Sequence, residues 1–418
     1  MVLPGGIVNS RRRIIDLLVA HGALSRADLA RETRLSKPTI STIVAELVAD
    51  GIVVEIGPGA STGGRKPILL RLGGTRRLVA SVELDATTCR FLLVTLDGER
   101  LALHEQAAPA ELADLPDAIA RGLDHLFVGW NRPGLVGCGV AVAGLLDLAR
   151  DTVDFATRHD WRHVPLRAQL AQRLGVPVLI TDRGKAAGLG ELWSLGREKR
   201  DDLIYLYLGR GVAGAIVLGS AIHLGPSHTA GEIGHMVVNP AGPPCDCGRQ
   251  GCLEALVSTG AMLAHARALA AEQAGPLAGQ LRDAGDDEAL AAIGSAAAAN
   301  EALALAVVDY AARWLGLAIA NLINVLNPAV VVLGGPLAQW GAPLVAALNR
   351  QLDRQALPVP RQAVRIVTSQ AGDLAAPLGA AALVLQRAGE FLARTELQGP
   401  SEVESRKVEG RRSLVMRQ

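Results

Sequence analysis

The chain has 418 residues, half of them hydrophobic, with 42 Lys+Arg against 41 Asp+Glu and a formal net charge of +1. That length exceeds one ordinary core and predicts two or three domains. The near-zero charge excludes a protein that coats membranes or nucleic acid along its whole length, so any polyanion site must be local.

The opening MVLPGGIVNSRRR has no apolar segment before its basic residues, and no later stretch supplies the roughly 18 uncharged apolar residues of a membrane span. A cytoplasmic protein without a membrane partner is expected. From Asn9 onward three short helical patterns follow, SRRRIIDLLVAHG, SRADLARETRL and SKPTISTIVAELVADG. Ser25 and Asp28 have capping-box spacing, Ser36 is an N-cap candidate, and Pro38 falls in a first turn where its missing N–H does no harm. Gly22 and Gly51 stand where helices stop. In the third helix Ile40, Ile43, Val44, Leu47 and Val48 form one apolar stripe, leaving Lys37, Thr39, Ser41 and Thr42 on another face.

Two strand-like runs, residues 52–56 and 68–72, flank the glycine-rich GPGASTGGRKP, so residues 1–72 read as a winged helix whose third helix lies in a major groove. This segment holds ten Lys/Arg against six Asp/Glu. Arg65 and Lys66 on the wing have the reach and charge to enter a narrow minor groove. Double-stranded DNA is the expected partner; a small helical domain that binds protein is the alternative.

Beyond Leu72, LVASVEL, FLLVTL, GLVGCGVAVAG, VPVLI and LIYLYLG are short apolar runs separated by helical patterns, which predicts an α/β body over residues 73–389. A long apolar helix is expected from Asn300 to Leu326. No internal repeat is evident, and the charged, irregular residues 390–418 predict a disordered tail.

Three of the five cysteines crowd into CDCGRQGCLE, while Cys89 and Cys138 stand alone in apolar runs, so no disulfide framework is expected. His235, Cys245, Cys247 and Cys252 supply the one nitrogen and three thiolates of a closed structural zinc site, with Gly248 and Gly251 letting the backbone wrap between the sulfurs. Four protein ligands leave no open position for a substrate water, so the Zn2+ would brace a loop. Reduced cysteines beside an unrelated histidine are the alternative.

HTAGEIGHMVVNPAGPPCDCGRQGCLE closely resembles the signature of the ROK family (repressors, open reading frames, kinases), E-x-G-H followed by C-x-C-G-x-x-G-C-x-E. The resemblance extends from about Asn9 to Gln386. It implies a two-lobed, actin-like and hexokinase-like (ribonuclease H-like) fold around a sugar cleft, and it assigns Glu232, His235 and Glu254 to sugar hydroxyls. Kinases of this family carry Asn-Asp-Ala-Asn ahead of A-A-x-L-G-E, the aspartate being the general base. Here Asp182-Arg183-Gly184-Lys185 precedes AAGLGE, and Arg183, which accepts no proton near neutral pH, replaces that base. The first phosphate loop, Asp-x-Gly-Gly-Thr in the kinases, is ELDATT here, without both glycines and with Asp85 where phosphate oxygens need donors. No catalytic residues and no ATP are therefore expected.

The alignment also brings Arg158, from ATRHDW, to the cleft beside Arg183. The expected effector is accordingly sugar-like and anionic, a phosphate or acid held by these two arginines with Asp182; the alternative is that Asp182, Asp160 or Glu232 neutralises them. These features predict a transcription regulator, a repressor of carbohydrate-related genes, acting as a homodimer or higher homo-oligomer on a double-stranded operator. Its rivals are an active sugar kinase with an added DNA-binding domain and a ligand-free DNA-binding scaffold.

Overall fold

The computed structural model describes residues 4–59, 66–85, 87–128, 134–147, 152–156, 161–194, 202–219, 221–271 and 273–397. The N-terminal part comprises α1 (Pro4–His21), β1 (Ala23–Ser25), α2 (Arg26–Thr33), α3 (Lys37–Ala49), β2 (Val53–Pro58) and β3 (Ile68–Leu72). Its helix starts follow the expected chemistry. Ser25 caps α2 in a reciprocal box with Asp28, and the Ser36 hydroxyl accepts the Thr39 N–H at 3.2 Å at the head of α3. Gly22 and Gly51 have φ of 77° and 70°, the left-handed turns that end α1 and follow α3. β1, which the sequence reading did not anticipate, pairs with β3 and makes the wing a three-stranded sheet in the order β1-β3-β2.

The first lobe contains β4 (Arg77–Leu84), β5 (Thr88–Thr95), β6 (Arg100–Ala107), α4 (Leu115–Leu126) and β7 (Gly134–Val142). It continues through β8 (Leu145–Asp147), β9 (Thr152–Ala156), β10 (Trp161–Val164), α5 (Leu166–Leu174), β11 (Val178–Asp182) and α6 (Arg183–Ser194). The second lobe opens with β12 (Leu203–Leu208), β13 (Val212–Leu218), β14 (Ala221–Ile222) and α7 (Leu253–Val257). Four helices follow, α8 (Thr259–Ala271), α9 (Pro276–Asp283), α10 (Asp286–Ala298) and α11 (Ala302–Leu326). β15 (Val330–Gly334), α12 (Ala342–Gln355), α13 (Pro358–Ala363), β16 (Arg365–Thr368), α14 (Ala375–Leu385) and α15 (Ala388–Leu397) complete the described chain.

The two five-stranded sheets share one wiring. In the first, β4, β5 and β6 form an antiparallel meander and β7 and β11 add parallel on its other side; in the second, β12, β13 and β14 play the meander and β15 and β16 the parallel strands. This duplication corrects the expectation of no internal repeat. It is carried by strand order, while the strands themselves share only generic apolar character.

α6 and α14 cross between the sheets with backbone touching backbone. A Cβ at Gly190 would lie 1.9 Å from the Ala375 carbonyl oxygen, and one at Gly379 would lie 1.6 Å from that of Ala186. α11 is long and apolar enough to cross a membrane, yet Leu303, Val307, Ala311, Leu315 and Ile319 are buried in the second-lobe core, so it is a core helix.

The expectation of a disordered tail from residue 390 is corrected in its first part. α15 packs on α1, and Phe391 and Leu392 are buried with Ile14, Ile15 and Leu18. Each such apolar side chain contributes about 1.5–3 kcal/mol, which outweighs the local charge that made the segment read as irregular. Residues 398–418 lie outside the described residues. The same core runs on through Leu47 and Leu70 to Leu92, Val94 and Leu385, so the change of character at residues 72–73 divides the topology but not the core.

Candidate DNA-reading face, effector cleft and metal cluster

Ile40, Ile43, Val44 and Leu47 anchor α3 in the core and leave Lys37, Thr39, Ser41 and Thr42 exposed together. The Thr39 hydroxyl shares a 2.7 Å bond with Ser36, and the Thr42 hydroxyl donates to the Pro38 carbonyl at 3.2 Å, so both side chains are oriented before any partner arrives. On the wing Lys66 is exposed; Arg65 lies outside the described residues.

Between the lobes a cleft is lined by Gly144, Leu146, Thr181, Asp182, Lys185, Leu224, His228, Thr229 and Glu232. Asp182 ends β11, and its carboxylate accepts the Lys185 backbone N–H at 2.9 Å and pairs with the Lys185 ammonium. Lys185 is buried there, with its charge compensated. Burial raises the Glu232 carboxyl above the ordinary glutamate range, and the Lys185 ammonium partly offsets that rise. The cleft thus presents carboxylate acceptors and an ammonium donor side by side, an arrangement suited to a polyhydroxylated ligand.

Lys185 and His228 were not singled out as effector residues from sequence. Lys185 was in plain view, at the last position of the altered Asn-Asp-Ala-Asn stretch. His228 sits in the turn ahead of E-x-G-H with a left-handed φ of 60°, which no local sequence signal announces.

The other assigned effector residues are placed differently. Arg183 is not among the lining residues: its Nη1 lies 3.3 Å from Asp85 Oδ1, and its guanidinium lies over the Tyr207 ring, 4.4 Å from the centroid. Asp85, absent from the three neutralising acids considered, is thus the partner it has. Glu254 accepts the Val212 backbone N–H at 2.8 Å and so ties down the loop of Gly209 and Gly211. Arg158 and Asp160 lie outside the described residues.

His235, Cys245, Cys247 and Cys252 bring their ligand atoms within 4.8 Å of one another. Cys247 Sγ and Cys252 Sγ are 3.6 Å apart, and Cys245 Sγ and His235 Nδ1 are 3.8 Å apart. Bonds of about 2.0–2.3 Å to a tetrahedral ion give edges of about 3.3–3.8 Å; these two separations lie in that range, and one imidazole with three thiols is a donor set that could hold a metal. Gly248 and Gly251 have φ of 82° and 73°, and a Cβ at Gly251 would lie 1.6 Å from the Asn239 carbonyl oxygen; the tight wrap requires glycine.

A winged helix joined through one core to a two-lobed α/β body with a cleft between its lobes has the build of a DNA-binding transcription regulator. Residues 79–387 match the ROK family model, and residues 9–54 match a winged helix-turn-helix DNA-binding model. The chain belongs to the ROK family. It is 27% identical over 378 residues to a xylose repressor of Caldicellulosiruptor bescii, covering 89% of this chain and 94% of the relative. It is 32% identical over 321 residues to a glucokinase of Halalkalibacterium halodurans, covering 74% of this chain and 96% of the enzyme. The fold matches the crystal structure of a ROK family transcriptional regulator, a homolog of the E. coli MLC protein, at a TM-score of 0.78, with 24% identity and coverage of 94% and 99%.

Proposed function

We propose that this protein is a cytoplasmic repressor of carbohydrate-related genes, released from or held on its operator by a sugar-like effector bound between Asp182, Lys185 and Glu232. The observation that carries the reading is the continuous core from α3 to the cleft-bearing lobe, which lets occupancy of one bias the geometry of the other. Lys37, Thr39, Ser41 and Thr42 would read the major groove, with Lys66 and Arg65 on the flanking backbone or minor groove. Two half-sites call for a homodimer.

The body is proposed to have lost phosphoryl transfer. The ion pair of Arg183 with Asp85 puts the residue that replaces the kinase base against the acid that replaces a phosphate-loop glycine, leaving no proton acceptor at that position. His235, Cys245, Cys247 and Cys252 would hold structural zinc, whose charge and cross-linking would stiffen the loop that carries Glu232 at one end and α7 at the other. The effector's charge is better matched to a neutral sugar than the two-arginine reading implied, because Arg183 is already paired.

The test begins with selection of a duplex from a random library, followed by titration of the protein–DNA complex with D-xylose, D-glucose and their phosphates and acids. Sequence-specific binding that shifts at least tenfold with one sugar supports the reading. Specific binding unmoved by every compound at millimolar concentration would leave a scaffold, and ATP-dependent sugar phosphorylation at enzymatic rates would restore the kinase.

A further inference from the structure

α6 has a different partner at each end. Its twelve residues span about 18 Å. At the start, Lys185 lines the cleft beside Asp182, the last residue of β11. At the finish, the Trp193 indole lies against Gly98: a Cβ there would meet the ring at 2.5 Å, so only glycine fits beside it. Trp193 packs against both the core that contains the DNA-reading domain and the core between the lobes.

Gly98 belongs to the tight turn after β5, with φ of 88° and its N–H donating to the Thr95 carbonyl at 3.0 Å. The neighbouring Asp97 accepts the Thr95 hydroxyl and pairs with Arg71 of β3. Arg71 is registered with Ala23 of β1 and Val54 of β2, at the middle of the wing sheet. A contiguous series of contacts therefore runs from the cleft along α6 to Trp193, across Gly98 and Asp97 to Arg71, and into the wing.

The backbone crossing of α6 and α14 at Gly190 and Gly379 removes the slack that side chains would give, which favours movement of α6 as a unit. We propose that α6 is the element that transmits cleft occupancy to the wing, with Trp193 and Asp97 as positioning residues for that response. This rests on the cleft being the effector site.

The test is a double-mutant cycle that needs neither effector nor operator. Lys185→Gln, with Asp182→Asn as a second perturbation should the first fail to fold, alters the cleft end of α6, and amide hydrogen exchange of residues 68–72 is read in the full chain. The perturbation is expected to change exchange in β3 about fivefold or more in the native background, and less than about 1.5-fold when Asp97→Asn or Trp193→Leu is also present, a non-additivity that distant independent sites do not show. Should Trp193→Leu fail to fold, Asp97→Asn, which keeps the size of the side chain and removes its charge, decides alone. An equal change in every background, or none in the native one, overturns the proposal. Parallel calorimetry with D-xylose and D-glucose separates the two readings, since absence of sugar binding removes the effector assignment while the exchange cycle still judges α6.

Discussion

Arg183 and Asp85, the two residues at which this chain departs most sharply from the kinase pattern, are paired: Nη1 and Oδ1 stand 3.3 Å apart, and the guanidinium lies over the Tyr207 ring. Removing Asp85 takes away the carboxylate that stands against the guanidinium. Asp85→Ala should leave a guanidinium that is 15% exposed without its carboxylate and lower stability by about 1–2 kcal/mol, between the exposed and buried limits for such pairs. A shift in the midpoint of urea unfolding would register it; an unchanged midpoint would show that the pair contributes nothing.

Glu232 gives a pH dependence for effector binding. As a carboxylate it accepts from sugar hydroxyls, and as an acid it loses much of that capacity. Burial raises its folded pKa, so affinity should be full near neutrality and decline as pH falls, beginning above the ordinary glutamate midpoint of about 4.3. Glu232→Gln should reduce affinity at pH 7 about tenfold or more and flatten the profile. Calorimetry at several pH values checks both.

The metal cluster can be tested by removal. Cys247→Ser should lower zinc content from about one ion per chain and reduce the melting temperature, with a larger loss of effector response than of DNA affinity, because the loop it braces carries Glu232 and the winged domain does not touch it. Metal analysis and parallel binding titrations decide the matter. Equal loss of both activities would indicate general unfolding.

Lys37→Ala removes one cation from the exposed face of α3. Its cost should be similar across DNA sequences if it meets a phosphate, and the slope of log affinity against log salt should shrink by about 1. Thr39→Ala should instead relax preference at one base position. Identical salt slopes for the wild type and Lys37→Ala would remove that lysine from the interface.

Ser25→Ala deletes one half of the α2 capping box and should cost about 0.5–2 kcal/mol. Asp28 adds a pH signature: bonds from the Ser25 hydroxyl and N–H lower its pKa, ahead of the contribution of Arg31. The stabilisation it gives is fully present above its unfolded value of about 3.9 and is lost as pH falls through the lower folded value. In Ser25→Ala that acid-dependent component should shrink in unfolding measurements without vanishing, because the backbone N–H at position 25 and Arg31 still favour the carboxylate.

Local chemistry was the legible part of this chain. The stripe of Ile40, Ile43, Val44 and Leu47, the caps at Ser25 and Ser36, and the glycines between the metal-cluster cysteines each declare their geometry within a few residues, and the structure places them accordingly. Relations made only by tertiary folding were not legible. Asp85 meets Arg183 because tertiary folding brings the residue after β4 to the start of α6, and nothing near either residue names the other. Phe391 and Leu392 look like stray apolar residues in a charged segment until α1 is seen beneath them. Lys185 is intermediate between these cases: its substitution was visible, but its place in the cleft came from the turn of α6.

The seating of α15 on α1 limits how this regulator can be rebuilt. A chimera that transplants residues 1–72 onto another sensor would export Ile14, Ile15 and Leu18 without the Phe391 and Leu392 that cover them, and the naked surface would invite precipitation. Grafts that carry the first and last helices together keep that seam closed, so the practical unit of exchange is a pair of chain ends rather than a head.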